Sequence, residues 1–259
     1  MSVQVENLSF SYCTHDVLKN LSFKAEAGEL LAVLGPNGVG KTTLFRCILG
    51  LQRNYTGTIR IDGDETGLLS TRELAHRVAY ISQLHGQAFA YSVTDMVLMG
   101  TSHTLSSVSM PGKKEMNTAA EALEVMGISH LAKKNFSHLS GGEQQLVLIA
   151  RALAQQTKTL LMDEPTASLD YGNQSQVLET VRKLARSGYA VILSTHNPQH
   201  ALWYADKALA LCDGRAAAFG GSREVIDAAL IKRLYGVSVD TFDTSGGILI
   251  APVPERSAV

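Results

Sequence analysis

Two glycine-rich segments of this chain carry residue types that bind phosphate. The first is GPNGVGKT at residues 35–42, which follows an apolar run at 29–34 and opens a helical pattern at 41–49. Glycines allow several backbone N–H groups to converge on phosphate oxygens, and a helix N terminus favours negative charge. Lys41 can reach the β- and γ-phosphates of a nucleotide, and the Thr42 hydroxyl can ligate Mg²⁺. The segment therefore predicts a nucleoside-triphosphate site that comprises Gly35, Pro36, Asn37, Gly38, Val39, Gly40, Lys41, Thr42 and Thr43.

A pair of carboxylates closes the apolar segment TLLMDE at residues 159–164. At the C-terminal end of a strand, Asp163 can hold Mg²⁺ through water. The next residue, Glu164, can orient or deprotonate an attacking water. An acidic pair in this position is more often a helix cap or a loop acid, but the phosphate-binding segment favours the catalytic interpretation.

The second glycine-rich segment is HLSGGEQQ at residues 138–145, which opens another helical pattern. A serine hydroxyl, backbone amides and a helix dipole at Ser140, Gly141 and Gly142 suit a phosphate as well. The structural alternative is a capping box, with Ser140 as the N-cap and Glu143 three residues later. The two interpretations are compatible, because the cap builds the helix start that would bind phosphate.

Strand and helix patterns alternate along most of the chain and predict a mainly parallel, covered sheet. The helix that follows the acidic pair should bury Val177, Leu178, Val181, Leu184 and Ala185. Predicted strands lie at 3–10, 29–34, 56–63, 77–82, 159–164 and 190–195.

A helical insertion at about 84–155 interrupts this alternation, after a polar stretch rich in Ser and Gly. Its helix at 115–126 is predicted to bury Met116, Ala119, Ala120 and Leu123 and to stop at Gly127. A C-terminal unit at about 222–253 should hold a helix near 223–235 and a hairpin around residues 245–247. We expect residues 1–259 to form a single domain.

The composition is that of a soluble globular protein, with 45% hydrophobic and 18% charged residues and a net charge of −1. This balance argues against a broad nucleic-acid footprint, so we expect no nucleic-acid partner. Cys13, Cys47 and Cys212 are widely spaced and predict a reducing compartment without a cysteine metal site. The sequence lacks a signal pattern and an apolar run of 18 residues, which favours a cytoplasmic location.

The phosphate-binding segment, LSGGE and the acidic pair, in this order, resemble the nucleotide-binding subunits of ATP-binding cassette (ABC) transporters over nearly all 259 residues. The resemblance implies an α/β fold: a P-loop NTPase core with a mainly parallel sheet, an N-terminal antiparallel β subdomain and the inserted helical subdomain. It also implies that the chain binds ATP and Mg²⁺ and hydrolyses ATP.

The resemblance assigns further roles residue by residue. Tyr12 occupies the place of the aromatic that stacks on adenine, and Gln83 that of the glutamine that touches Mg²⁺ or the attacking water. Asp170 belongs to the segment that lies at the dimer interface, and His196 matches the switch histidine that contacts the γ-phosphate. Without the resemblance, these residues would be a core aromatic, a surface glutamine, a helix N-cap and a structural histidine.

The resemblance also implies partners. In this family Ser140, Gly141 and Gly142 contact ATP bound to a second copy, so two chains form a homodimer with ATP at the interface. The dimer would bind integral-membrane permease subunits at the cytoplasmic face of the inner membrane, and through them a substrate-binding protein.

Segments 82–100 and 236–253 resemble the group that imports iron–siderophores, haem and cobalamin, while close relatives import oxyanions such as molybdate. A non-transport ABC ATPase and a regulatory module without turnover are the alternatives. The single cassette argues against the former, and Glu164, Gln83 and His196 argue against the latter.

Overall fold

The structure is a computed structural model that describes residues 2–82, 90–104 and 110–253. The strands are β1 (Ser2–Tyr12), β2 (His15–Glu26), β3 (Leu30–Leu34), β4 (Tyr55–Ile61), β5 (Asp64–Glu65), β6 (Val78–Ile81), β7 (Thr159–Met162), β8 (Ala190–Thr195), β9 (Lys207–Cys212), β10 (Arg215–Gly221), β11 (Val239–Thr244) and β12 (Gly247–Pro252). The helices are α1 (Lys41–Ile48), α2 (Thr71–Ala75), α3 (Val93–Leu98), α4 (Lys113–Val125), α5 (Gly141–Ala154), α6 (Tyr171–Arg186), α7 (Pro198–Tyr204), α8 (Ser222–Val225) and α9 (Ala228–Tyr235).

The N-terminal sheet is antiparallel, with strand order β2-β1-β4-β5. Inward-facing residues of β1, among them Val3, Val5 and Phe10, alternate with more exposed ones, as a strand with one covered face requires. These side chains pack with α1 and with one face of the central sheet. The antiparallel N-terminal subdomain is therefore confirmed.

The central sheet has the order β10-β9-β3-β8-β7-β6 and is parallel except for its edge strand β10. Strands β3 and β8 are buried along their whole length, as expected for strands covered on both faces. Successive residues of β3 contribute to the hydrophobic clusters on opposite sides of the sheet. The α/β class and the mainly parallel core are confirmed.

Parallel strands place their carboxyl ends at one edge of the sheet. Leu34 at the end of β3 pairs with Thr195 at the end of β8, and Met162 at the end of β7 pairs with Leu193. The segments that follow these three strands are the phosphate-binding segment, the acidic pair and His196. Strand register thus brings together groups that lie about 160 residues apart in sequence.

Two sequence-based expectations about helices are wrong in detail. Helix α4 buries Ala119, Ala122 and Leu123, with Met126 just beyond it, whereas Met116 and Ala120 are exposed. The i, i+3, i+4, i+7 spacing of the buried residues defines the stripe that packs on the neighbouring helices, and Met116 and Ala120 lie on its flank.

The expected continuous helix at 223–235 is divided into α8 and α9. Asp227 separates them, because its side chain accepts a hydrogen bond from the backbone N–H of Leu230 and starts a new helix. The hairpin β11–β12 around residues 245–247 forms as predicted.

Helices α3, α4 and α5 lie between β6 and β7 in sequence and pack on one another. The boundaries of this insertion, about 84–155, and the assignment of 1–259 as one domain stay predictions. Over the residues that the structure describes, no helix has the length and apolar character needed to cross a membrane.

Candidate functional site

The phosphate-binding segment forms a loop between β3 and α1. Gly38 and Gly40 adopt left-handed backbone angles, φ 81° and 110°, which favour glycine. At position 35 glycine is required because of close packing, since a Cβ there would lie 2.7 Å from the carbonyl oxygen of Leu211. The loop opens on a cavity of about 310 Å³, which is lined by Asn37, Gly38, Gly40, Lys41, Thr42, Thr43, Asp163 and Glu164.

Lys41 is the cation of this cavity, and its side chain is only 5% exposed. Its Nζ donates hydrogen bonds to the carbonyl oxygens of Gly35 (2.8 Å) and Pro36 (3.1 Å). The ammonium group also pairs with Glu164 Oε1 at 3.2 Å. These contacts hold the positive charge at the mouth of the loop, where a phosphate can bind it.

Asp163 is surrounded by hydroxyl groups. The hydroxyl of Thr42 donates to Oδ2 at 2.7 Å, that of Ser194 to Oδ1 at 2.6 Å, and that of Tyr80 to Oδ2 at 3.3 Å. Burial, with the charge of Asp163 as a second cause, raises the pKa of Tyr80 to about 12, so the phenol stays a donor. Thr42 and Asp163 form the all-oxygen pair that suits Mg²⁺ alongside nucleotide phosphates.

Glu164 has a strained backbone, with φ 46° in the left-handed region. Its N–H donates to Ser194 Oγ at 2.9 Å, and its Oε2 lies 3.3 Å from Nδ1 of His196. The carboxylate therefore lies between Lys41 and His196 and points into the phosphate cavity. Strained backbones cluster at functional sites, because surrounding contacts must hold a side chain in one place.

Ser194 and Tyr80 are contributors that sequence reasoning missed. The Ser194 hydroxyl is buried and bridges the carboxylate of Asp163 and the backbone of Glu164, since it donates to Asp163 Oδ1 and accepts from the N–H of Glu164. The available signal was the change from the apolar residues 190–193 to the polar pair Ser194 and Thr195 at the end of β8, directly before His196. Tyr80 gave no comparable signal in sequence.

Tyr12 stands at the end of β1, 38% exposed, with its ring edge-on to Phe10 at 4.8 Å between centroids. The start of the next strand, β2, from His15 to Val17, lines a cleft of about 490 Å³ together with the phosphate-loop residues 36–39. The structure thus places the chain next to Tyr12 against the phosphate loop. The adenine-stacking role of Tyr12 stays a prediction.

Ser140, Gly141 and Gly142 begin α5 and do not line the phosphate cavity of their own chain. Ser140 caps the helix: its Oγ accepts from the N–H of Glu143 at 3.3 Å, and its N–H donates to Glu143 Oε2 at 2.8 Å. The predicted capping box is therefore confirmed, and this helix start is exposed at Ser140 and Gly141.

Asp170 caps α6, where its Oδ1 accepts from the N–H of Asn173 at 2.9 Å. The predicted N-cap is confirmed, whereas the place of Asp170 at a dimer interface stays a prediction. Gln83 lies outside the described residues, so its expected contact with Mg²⁺ or water stays a prediction.

The cysteines carry free thiols, and burial raises the pKa of Cys47 to about 12. Within residues 2–82, 90–104 and 110–253, three or more His, Cys, Asp or Glu side chains nowhere cluster as a metal site. A Mg²⁺ ion held at Thr42 and Asp163 would need phosphate oxygens or water as its other ligands.

The fold and the site together define a P-loop nucleoside triphosphatase. A family model described as ABC transporter matches residues 18–167. The chain belongs to the ABC transporter family and is the subunit of a transporter that binds and hydrolyses ATP.

Individual relatives agree with this assignment. The molybdate import ATP-binding protein MolC of Haemophilus influenzae is 37% identical over 236 residues, 90% of this chain and 88% of the relative. The hemin import ATP-binding protein HmuV of Rhodococcus jostii is 34% identical over 255 residues, 97% of this chain and 86% of the relative. A solved metal-chelate type ABC transporter in an inward-facing conformation is 33% identical with a TM-score of 0.86, covering 98% of both chains.

Proposed function

We propose that this chain powers an ABC importer by hydrolysing ATP at the cavity between the phosphate loop and Glu164. The observation that carries the catalytic part is the position of Glu164, held between Lys41 and His196 at 3.2 and 3.3 Å. The names of relatives that cover most of the chain, both import ATP-binding proteins, support the direction of transport.

The chemical roles follow from the contacts of each side chain. The ammonium of Lys41 and the loop amides bind the β- and γ-phosphates and neutralise charge that develops on them. The carboxylate of Glu164 accepts a hydrogen bond, and then the proton, from a water aligned with the γ-phosphate. His196 donates to the γ-phosphate while its neighbour Glu164 orients the water.

Thr42 and Asp163 are the residues that would hold Mg²⁺. The cation, when bound, supplies a positive charge that stabilises the phosphate oxygens during transfer. Their oxygens are already 2.7 Å apart. Gln83 would complete this set of polar ligands.

The second phosphate-binding element of each site comes from another copy of the chain. Ser140, Gly141 and Gly142 of the second copy would contact the γ-phosphate, and Asp170 would lie in the same interface. The exposed, capped N terminus of α5 supports this arrangement, because it is not used by the phosphate cavity of its own chain. Closure of such a homodimer would be driven by ATP and released by hydrolysis.

Integral-membrane permease subunits would receive this motion at the cytoplasmic face of the inner membrane. A substrate-binding protein would deliver the cargo from the opposite side. We propose a metal chelate, such as an iron–siderophore, haem or cobalamin, as this cargo. The hemin relative and the metal-chelate type transporter support this class, and the molybdate relative makes an oxyanion the second candidate.

The test of function is transport-coupled hydrolysis. The chain, its permease and the binding protein are purified together, reconstituted in vesicles and assayed for ATPase activity and uptake. The proposal predicts that a metal chelate together with its binding protein stimulates ATPase activity. It also predicts that the chelate is transported across the membrane from the side on which the binding protein is added. If molybdate stimulates ATPase activity and metal chelates do not, the cargo belongs to the oxyanion class. If ATPase activity is stimulated but the cargo moves towards the side of the binding protein, the importer assignment is overturned.

A further inference from the structure

The C-terminal hairpin is fastened to α7 by three hydrogen bonds of two side chains. The amide of Gln199 donates through Nε2 to the carbonyl oxygen of Ile248 and accepts through Oε1 from the N–H of Ile250, both at 2.8 Å. The indole Nε1 of Trp203 donates to the same carbonyl of Ile248 at 3.0 Å. Gln199 thus pairs with β12 much as a neighbouring strand would.

Gln199 is also tied to the residue that follows the switch histidine. Its backbone N–H donates to the side chain of Asn197, the N-cap of α7, at 2.9 Å. Asn197 directly follows His196 and donates its own N–H to Thr195 Oγ1 at 3.0 Å. Gln199 therefore connects the C-terminal hairpin to the short turn that carries His196.

Helix α7 is too short to hold this position by itself. It has seven residues, and helices of this length are unstable in isolation, so their position depends on tertiary contacts. The side chain of His196 is 53% exposed and contacts Glu164 at 3.3 Å, so its own surroundings constrain it weakly. The placement of the imidazole depends on the placement of α7.

We propose that Gln199 and Trp203 are positioning residues for the hydrolytic site. By fastening β12 to α7 they keep His196 within reach of Glu164 and of the γ-phosphate. This inference rests on the proposed role of His196. It gives the C-terminal hairpin a part in turnover, although the hairpin does not line the phosphate cavity.

The competing explanation is purely structural. β12 is the edge of a two-stranded sheet, and Gln199 and Trp203 satisfy backbone groups that would otherwise be unpaired. In that case their loss would loosen the hairpin and lower stability without a specific effect on turnover. The two explanations differ in kinetics, since a displaced catalytic group lowers kcat while the binding of ATP is unchanged.

The experiment compares Gln199→Ala and Trp203→Phe with the control Asp240→Asn in the full-length chain. Asp240 is exposed and belongs to the same hairpin, and no hydrogen bond joins it to α7 within the described residues. For each protein, kcat and KM for ATP, the affinity for ATP and the unfolding temperature are measured. Trp203 is the one tryptophan of the sequence and is half-buried, so its emission in Gln199→Ala reports whether the indole keeps these surroundings.

We expect kcat to fall about tenfold to a hundredfold in both variants, because small displacements of a catalytic group have effects of this size. KM and the affinity for ATP should change less than about twofold, because the phosphate loop is untouched. The control should retain wild-type kinetics.

A second measurement separates positioning from general loosening. In a His196→Ala background, where the imidazole is absent, Trp203→Phe should cause little further loss of kcat. The inference would be overturned if the fold-losses in kcat of the two single variants multiply in the double variant. It would also be overturned if kcat is unchanged in both Gln199→Ala and Trp203→Phe. If Trp203→Phe does not fold, Gln199→Ala, which retains the indole, decides between the outcomes.

Failure of the proposed function looks different. A wild-type chain without ATPase activity, or a His196→Ala variant with wild-type kcat, would remove the premise. Loss of activity in His196→Ala together with normal kcat in Gln199→Ala and Trp203→Phe would contradict only the positioning role.

Discussion

The two carboxylates after β7 are adjacent in sequence but have opposite surroundings. Asp163 accepts hydrogen bonds from three hydroxyl groups, those of Thr42, Tyr80 and Ser194. Glu164 instead lies between the cationic Lys41 and the imidazole of His196. A carboxylate among neutral oxygens is suited to bind a cation, whereas one that faces the phosphate cavity is suited to accept a proton from water.

Glu164→Gln removes the proton acceptor while it retains the shape of the side chain. We expect ATP to bind with similar affinity, because Lys41 and the loop amides remain, and kcat to fall by at least about a hundredfold. Nucleotide binding by fluorescence and phosphate release measure the two effects. Wild-type turnover in this variant would contradict the assignment of Glu164.

Ser194→Ala tests whether the bridging hydroxyl places the carboxylates. The variant loses the bond to Asp163 and the acceptor for the strained N–H of Glu164, so we expect kcat to fall about tenfold or more. Ser187→Ala, at the exposed end of α6, is the matched control and should keep wild-type kcat. Equal kinetics in the two variants would show that Ser194 has no part in catalysis.

At the scale of elements, Gly142 sets the contact between the starts of α5 and α6. A Cβ on Gly142 would lie 2.2 Å from Asn173 Oδ1 and 2.9 Å from Asn173 Cβ. Asn173 cannot easily move away, because its N–H and its side-chain amide both bind Asp170. The second glycine-rich segment therefore has a packing requirement besides its proposed contact with phosphate.

Gly142→Ala should destabilise the chain by about 1–3 kcal/mol, the usual effect of overpacking a close contact. Gly172→Ala, in the first turn of α6, is the control, because a Cβ there would lie at an ordinary van der Waals distance of 3.6 Å from Asp170 Oδ1. In that helical position alanine should be neutral or stabilising. Urea unfolding of both variants checks the difference, and equal stabilities would contradict the close-packing argument.

Helix α7 also carries a histidine that titrates unusually. Burial, and secondly the charge of His196, lower the pKa of His200 to about 4, and its Nδ1 is buried without a hydrogen-bond partner among the described residues. Since the unfolded chain keeps the ordinary value of 6.5, it binds more protons than the folded chain between these two pH values. The free energy of unfolding should therefore fall as the pH is lowered through this window.

His200→Leu should lose less stability than the wild-type chain on going from about pH 7 to about pH 4, by on the order of 2 kcal/mol. Denaturant titrations at several pH values measure this difference. The carboxylates titrate in both proteins, so parallel curves would contradict the assignment to His200.

Much of this architecture could be predicted from sequence where one local pattern determined it. The buried face of α6 and the extent of β8 agree with expectation, because apolar spacing and a following turn were clear. The buried face of α4 differs from the expected one, since alanines on two sides of the helix give almost the same apolar periodicity. The bridging role of Ser194 could not be read locally, because it depends on the register between β7 and β8.

At the scale of the whole molecule, the two glycine-rich segments that we propose to bind phosphate do not share a cavity. The phosphate loop lines one cavity with the carboxylates, and the exposed start of α5 is elsewhere on the surface. In this proposal, each chain contributes its phosphate loop to one ATP site and the start of its α5 to another. A twofold dimer would complete both sites. We propose that ATP is hydrolysed only at such composite sites.

Mixing two inactive chains tests this claim most directly. Lys41→Ala lacks the phosphate-loop cation and Ser140→Arg blocks the start of α5, so each homodimer should be inactive. A mixed dimer retains one site with both wild-type elements, and an equal mixture should recover about a quarter of wild-type ATPase activity. Recovered activity on mixing is the predicted result; a mixture as inactive as its components, although each single chain is folded and Ser140→Arg still binds ATP, would contradict the composite site.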